Sequence, residues 1–443
     1  MDYLSPLQLH PDMTNIHRTI TAMLLCMTAF AQAQSTYIYC GSLISMSEGA
    51  KALGASTIIV QGDTVARVAD GYVRLPAGAD LIDLRAYVVL PGLIDCHVHL
   101  EWEQSRTSYQ DKYTLNDAEV AFRSAVYAER TLKAGFTTVR DLGGRGVNIS
   151  LRNAVNAGLT PGPRIITSGR SLSVTGGHGD PTNGARQDLF DAPLPDDGVA
   201  DGPDECRKAV REQVQRGADC IKVCATGGVL SLARDGRLPH YAEDELQAIV
   251  RTARDLGVDV AAHAHGDEGA RRAAEAGVVS IEHGTFMSEA TMDLLIRKGV
   301  WYVPTLTAGW AVSDSAAYAR GFFPDMVRVK AIGIGEKIEQ TLGRAYRRGV
   351  NIAFGTDAGV FPHGLNALEF VFMARAGMSH EDILQSATTN AARLLRMEDK
   401  IGAIAPGKYA DLIAVKSNPL DDIQTLRHPV FVMKGGKVYR KPD

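Results

Sequence analysis

The sequence predicts an α/β chain, a (β/α)8 TIM barrel flanked by a small composite β-sandwich that both chain ends build. Three observations lead there. Short strand-and-turn segments fill the stretch before residue 90 and return after residue 400. Between them, eight short apolar segments alternate with amphipathic stretches, most of which close on glycine. Side chains able to bind metal fall at the C-terminal ends of those apolar segments, the face on which such barrels carry chemistry.

At 443 residues, with 45% hydrophobic and 22% charged residues, the chain is long enough for one large core and a smaller unit. A formal net charge of -4 gives no support to a nucleic-acid or anionic-membrane partner. Arg18 precedes an uncharged apolar run from Ile20 to Phe30, and Ala31-Gln32-Ala33 fits a signal-peptidase site. The run is too short to span a bilayer. Residues 1–33 are therefore expected to be an upstream extension and a cleaved signal peptide, with Met13 as the natural start. The mature protein would then be exported, periplasmic or secreted, with no membrane attachment. A disordered, mildly apolar N-terminus is the alternative. The five remaining cysteines are scattered and odd in number, which argues for buried thiols over a disulfide framework.

Taken in order, residues 34–90 hold strands around Tyr37-Ile38-Tyr39, Ser56 to Val60, Val65 to Val68 and Leu81 to Leu84. Residues 400–443 add Ala410 to Val415, Val430 to Met433 and Lys437 to Tyr439. Neither set buries a sheet face alone, so the two are expected to combine. Residues 91–399 form the barrel. Its strands are Pro91 to His99, Thr137 to Asp141 after a helix from Asp117 to Lys133, Arg164 to Ser168, Cys220 to Cys224, Val258 to His263, Val279 to His283, Trp301 to Thr305 and Asn351 to Asp357. Gly217, Gly257, Gly277, Gly299 and Gly349 end the helices that precede the later strands. The Gly-, Pro- and Asp-rich segment from Ser171 to Asp204 is too long for a simple connection and is a candidate lid.

On a strand, His97 and His99 share one face and can grip one metal ion. Lys222 lies mid-strand between apolar neighbours, so its ammonium would be buried and pushed toward the neutral amine. A neutral amine can take up carbon dioxide as a carbamate, whose two oxygens bridge two metals; the alternative is a salt bridge to Asp357 or Glu282. Cys220 and Cys224, on the same face, read as small barrel fillers. Asp357 ends its strand as a carboxylate able to coordinate metal and move protons. His263 is assigned to metal, and His265, further out, to the substrate mouth. His178, His240 and Tyr241 are loop residues that could polarise a carbonyl or hold a substrate carboxylate, with a structural role weighed equally for each. His363 lies past the last barrel strand, where a catalytic role is not expected.

The pair His97-Val98-His99, with Lys222, His263, His283 and Asp357 in that order on such a barrel, resembles the binuclear branch of the amidohydrolase superfamily. The segment Gly402 to Leu412 is typical of its members. Ala262-His263-Ala264-His265-Gly266, Ile281-Glu282-His283-Gly284-Thr285 and Gly355-Thr356-Asp357-Ala358-Gly359 are similar to the imidazolonepropionase-like and Xaa-Pro dipeptidase group. That group also holds amidohydrolases that cleave ochratoxin A. The resemblance implies two zinc ions, a carboxylated Lys222 and a homo-oligomer as large as an octamer. One zinc would sit on His97, His99 and Asp357 and the other on His263 and His283. The Lys222 carbamate and a hydroxide would bridge them at roughly 3.5–4 Å. Hydrolysis of an amide or peptide bond beside a free carboxylate would follow, as in dipeptides, N-acyl amino acids and ochratoxin A. Two rivals remain: a mononuclear deaminase or cyclic-amidine hydrolase using Glu268, and a catalytically inactive binding barrel.

Overall fold

The computed structural model describes residues 35–442 apart from 233, 234 and 320, so the expected leader at residues 1–33 lies outside the described residues. The N-terminal strands are β1 (Thr36–Met46), β2 (Gly49–Leu53), β3 (Ser56–Gln61), β4 (Thr64–Asp70) and β5 (Asp80–Pro91). Seven barrel strands follow: β6 (Leu93–Val98), β7 (Phe136–Asp141), β8 (Arg164–Thr167), β9 (Cys220–Cys224), β10 (Asp259–Ala264), β11 (Ser280–His283) and β12 (Trp301–Val303). The chain closes with β13 (Leu412–Val415), β14 (Phe431–Lys434) and β15 (Lys437–Arg440).

Both chain ends meet in one eight-stranded sheet, in the order β15-β14-β13-β5-β1-β3-β4, with β2 added to β1. The sandwich is this single sheet bent over on itself. Its core takes Ile38, Ile58 and Val60 from one half and Leu412, Phe431 and Met433 from the other. The bend falls at Gly41, where the β1–β5 register slips between Cys40 and Ser42. A Cβ at Gly41 would lie 2.2 Å from the Arg85 carbonyl oxygen, so only glycine fits at this slip between the two paired strands.

The barrel strands are parallel and fall into two runs, β6-β7-β8 and β9-β10-β11-β12. Between β8 and β9, Asp219 N–H donates to the Thr167 carbonyl at 2.7 Å, and Leu172 exchanges hydrogen bonds with Lys222 and Cys224. The expected eighth strand is an irregular segment, residues 351–358, that closes the ring by single hydrogen bonds. On one side Ala353 N–H reaches the Tyr302 carbonyl at 3.0 Å. On the other, Asp357 N–H reaches the His97 carbonyl at 2.7 Å, and His99 N–H the Ala358 carbonyl at 2.7 Å. Helices Gly202–Arg216, Asp267–Ala276, Glu289–Lys298 and Ile334–Arg348 end at glycines with φ between 68° and 101°, as their sequence endings indicated. Among the described residues no helix is long and apolar enough to cross a membrane.

Two buried side chains hold the ring at its seam. Asp95 Oδ1 accepts from the backbone of His97 and of Thr356, both at 3.1 Å. Its Oδ2 accepts from the Thr356 hydroxyl at 2.6 Å and from Asn366 at 2.9 Å. His363 donates from Nε2 to the carbonyls of His99 and Trp102, both at 3.2 Å, and so fastens the loop that leaves β6. Burial pushes its imidazole from 6.5 down to about 4, which keeps it neutral at physiological pH.

Asp95→Ala strands four donors in a sealed space and is expected to cost about 3 kcal/mol or more, read as a drop in the denaturation midpoint. An unchanged midpoint would remove the seam role. For His363 the unfolded imidazole takes a proton more readily than the folded one. Its contribution is therefore present above pH 6.5 and lost as the pH falls toward 4, by up to about 3 kcal/mol. His363→Gln should flatten the stability profile in that window; an equally steep profile would mean other groups cause it.

Candidate metal centre

The C-terminal ends of the barrel strands open into a cavity of about 520 Å³. His99, Lys222, His263, His265, His283 and Asp357 lie at its base, and His178 lines its side. The opposite wall is apolar, with Leu230, Ala308, Val312, Ile334, Ile338 and Val360, while Trp102 and Tyr109 add aromatic surface. The segment after Ser171, expected as a lid, contributes Ser171, His178, Gly179 and Pro181 to the rim.

His97 and His99 leave β6 with both Nε2 atoms on one oxygen of Asp357, at 3.5 and 3.2 Å. Asp357 reaches them because its backbone is left-handed, φ 60°, at the end of the seam segment. His283 and Thr305, at the ends of β11 and the next segment, are also left-handed, with φ of 70° and 55°. Non-glycine residues adopt this conformation at a cost, and three together at strand ends mark a functional site. Gly355 makes room in the same place, since a Cβ there would meet His97 Cβ at 3.0 Å.

Each imidazole has one ring nitrogen engaged from behind. His97 Nδ1 lies 2.8 Å from Glu282, His99 Nδ1 2.6 Å from the Gly143 carbonyl, and His263 Nε2 3.0 Å from the Gly227 carbonyl. His265 Nδ1 and His283 Nδ1 meet the hydroxyls of Thr285 and Thr305 at 2.7 and 2.8 Å. The second nitrogens of His97 and His99 face Asp357, and that of His97 also faces Lys222. Candidate ligand atoms of His97, His283 and Asp357 converge within 4.8 Å, and so do those of His263, His265 and His283. Burial, with the cluster's own positive charge, pushes His97, His263 and His283 well below 6.5, so all three are neutral donors. Burial opposes the charged forms of both His99 and Asp357, but Asp357 raises the His99 imidazole, and His97 and then His99 lower the Asp357 carboxyl. Neutral imidazoles with the tautomer set from behind, grouped with a carboxylate, form a donor set that suits zinc or a similar divalent ion.

Lys222 is buried, with Nζ 3.4 Å from His97 Nε2, and no ion pair joins it to Asp357 or Glu282. Glu282 pairs instead with Arg140 at 3.0 Å. Cys220 packs among Leu142, Ala261 and Ile166 as a filler, while Cys224 borders the cavity. His265 is less remote than strand alternation implied. β10 ends at Ala264, and Thr226 and Thr285 turn the ring back so that it stacks on His283 at 4.9 Å.

Two expected substrate contacts need correction. Tyr241 does not line the cavity; it is fully buried in the main core just before helix Glu243–Asp255, which turns its ring inward. His240 stands behind His178, its Nδ1 accepting the His178 backbone N–H at 3.4 Å, and does not line the cavity either. His178 does, its ring stacked on His263 at 4.4 Å and its Nδ1 unpartnered among the described residues. Sequence reasoning passed over Asp95, Arg140 and Thr305, whose partners lie on other strands and leave no local spacing to read. Glu282 was visible only as a neighbour of His283 and as a possible salt-bridge partner of Lys222, not as the partner of His97 and Arg140.

Comparison with known proteins agrees with this geometry. The model of the Amidohydrolase family matches residues 88–439. The Aspergillus niger ochratoxinase is 32% identical over 436 residues, covering 93% of this chain and 88% of that protein. A crystal structure of a Xaa-Pro dipeptidase with methionine in its active site is 46% identical and superposes with a TM-score of 0.89, covering 92% of this chain and all of that one. The imidazolonepropionase of Streptomyces avermitilis is 24% identical over 394 residues, covering 83% of this chain and 82% of that protein. A barrel with converging histidines, an aspartate and a buried lysine, matched by a family model over most of its length, belongs to the amidohydrolase family, and the chain is a hydrolase acting on C–N bonds.

Proposed function

We propose that the protein is a zinc-dependent amidohydrolase that cleaves an amide or peptide bond beside a free carboxylate. The observation that carries this reading is the set of back-bonded imidazoles whose ligand atoms converge, His97 and His283 with Asp357 and His263 with His265 and His283, around the buried Lys222. His97, His99 and Asp357 would hold one ion and His263 and His283 the other, with Lys222, as its carbamate, between them. Two such ions supply an acidified water and polarise the scissile carbonyl.

The chain's own residues do the rest. Asp357 receives the proton of the attacking water and delivers it to the departing nitrogen, and its place beside His97 and His99 keeps it ionised for the first of these steps. His178 lines the side of the cavity with its Nδ1 turned in against Gly228, so it would steady the carbonyl oxygen of the substrate through Nε2. Arg145 and Arg170 line the cavity in ion pairs with Asp117 and Asp197 at 3.8 and 3.5 Å, and a substrate carboxylate would compete with those aspartates for them. The wall around Val312 and Ile338 receives an apolar side chain and excludes water.

The likeness to an ochratoxinase and to a Xaa-Pro dipeptidase supports substrates of this class, ochratoxin A and dipeptides among them. The N-terminal sequence supports an exported protein, and the resemblance a homo-oligomer. A mononuclear deaminase using Glu268 is less favoured, because Glu268 is drawn into ion pairs with Arg271 and Arg272.

The deciding experiment assays the zinc-loaded protein on N-acyl amino acids, dipeptides and ochratoxin A. Turnover of at least one is expected, and inactivity on every carboxylate-bearing amide would refute the reading. Asp357→Asn should lower kcat by about 10²–10⁴-fold while the fold persists. His99→Ala should strip mainly the ion shared with Asp357, read as loss of one metal equivalent by elemental analysis; full retention would exclude His99 as a ligand.

A further inference from the structure

Five imidazoles surround the base of the cavity, and the groups behind them differ. Backbone carbonyls stand behind His99 and His263, and hydroxyls behind His265 and His283. Among the described residues only His97 is backed by a carboxylate, Glu282 Oε2 at 2.8 Å, with both side chains fully buried. The other carboxylate oxygen is held by Arg140 Nη2 at 3.0 Å and by the Ser280 hydroxyl. Arg140 is anchored in turn on the Cys96 carbonyl at 2.8 Å. The carboxylate is thus pinned on the side away from His97 and presents its remaining oxygen to the ring. The guanidinium compensates its buried charge.

We propose that Glu282 is a positioning residue of the metal centre: it accepts the Nδ1–H of His97, which fixes the tautomer leaving Nε2 toward Asp357 and Lys222, and makes His97 the strongest imidazole donor of the set. A carboxylate in a low-dielectric surrounding polarises the N–H more than a carbonyl or hydroxyl does and strengthens the lone pair across the ring. This inference rests on the reading that the cluster holds metal.

Glu282→Gln tests it because the amide has the same shape but one face that only donates. Arg140 also only donates, so the amide oxygen turns to Arg140 and the NH₂ to His97. His97 must then accept at Nδ1 and carry its proton on Nε2, which closes the nitrogen facing the metal. The full-length protein and the variant are stripped of metal and titrated with zinc against a chromophoric chelator. ¹⁵N spectra of the histidine-labelled metal-free proteins report the tautomer.

The parent is expected to bind two equivalents. The variant should lose one, or hold it about 10–100-fold more weakly, with His97 switched to the Nε2–H form and the thermal transition still cooperative. Two equivalents at parental affinity with an unchanged tautomer would overturn the proposal. If the parent binds no zinc, the metal reading itself falls, and the spectra alone decide the tautomer. If Glu282→Gln does not fold, Ser280→Ala, which removes one donor to the carboxylate, should weaken one equivalent a few-fold; no change in either equivalent would overturn the proposal.

Discussion

The carboxylate of Asp95 is the interaction on which the rest of the molecule depends. Seven strands pair or nearly pair by backbone bonds, while the eighth segment is not a regular strand and joins β6 through the backbone bonds Cys96–Phe354, Asp357–His97 and His99–Ala358. Asp95 reaches across that seam with three hydrogen bonds, to the Thr356 amide and hydroxyl and to Asn366, and accepts a fourth from His97 on its own strand. The seam is also where His97 and His99 meet Asp357. Closing the barrel and bringing together half of the candidate metal site are therefore one event, held in part by one buried acid behind the converging side chains.

Strain is placed on the same rim. His283, Thr305 and Asp357 are left-handed without being glycine. In each case the conformation turns a strand-end side chain inward that alternation would have sent elsewhere. Glu282 and His283 are neighbours in sequence, yet one stands behind His97 and the other faces the cavity, because the backbone reverses between them. The cost is met by partners fixed in turn: Thr305 meets His283, and Glu369 caps the backbone of Leu306 and Thr307 just beyond it. The metal-binding geometry is thus largely prepared by the protein.

Local features carried much of this in the sequence. The helix-ending glycines, the strand around His97 and His99, the apolar surroundings of Lys222 and the terminal position of Asp357 all follow from residues a few positions apart. They sufficed to place the barrel and bring its polar ends together. What stayed hidden depends on partners distant in the chain. His265, on the same face as His263, read as lying further out at the mouth, whereas Thr226 and Thr285 bring its ring back onto His283. Tyr241 and His240 read as mouth residues, but the start of the next helix turns one into the core and sets the other behind His178. The two-ended sheet was legible as strands, while its bend at Gly41 depends on the Arg85 carbonyl lying against it.

The seam also orders events in time. Asp95 and Thr356 are separated by 261 positions, and β5 pairs with β13, which begins only at Leu412. A chain emerging from the ribosome therefore carries its first histidine pair and an open sheet edge through most of its synthesis before either finds its partner. Such long-range closure folds slowly and exposes apolar strands meanwhile. Truncation near the C-terminus, far from the cavity in sequence, would leave the first half of the molecule complete in residues and unfinished in shape.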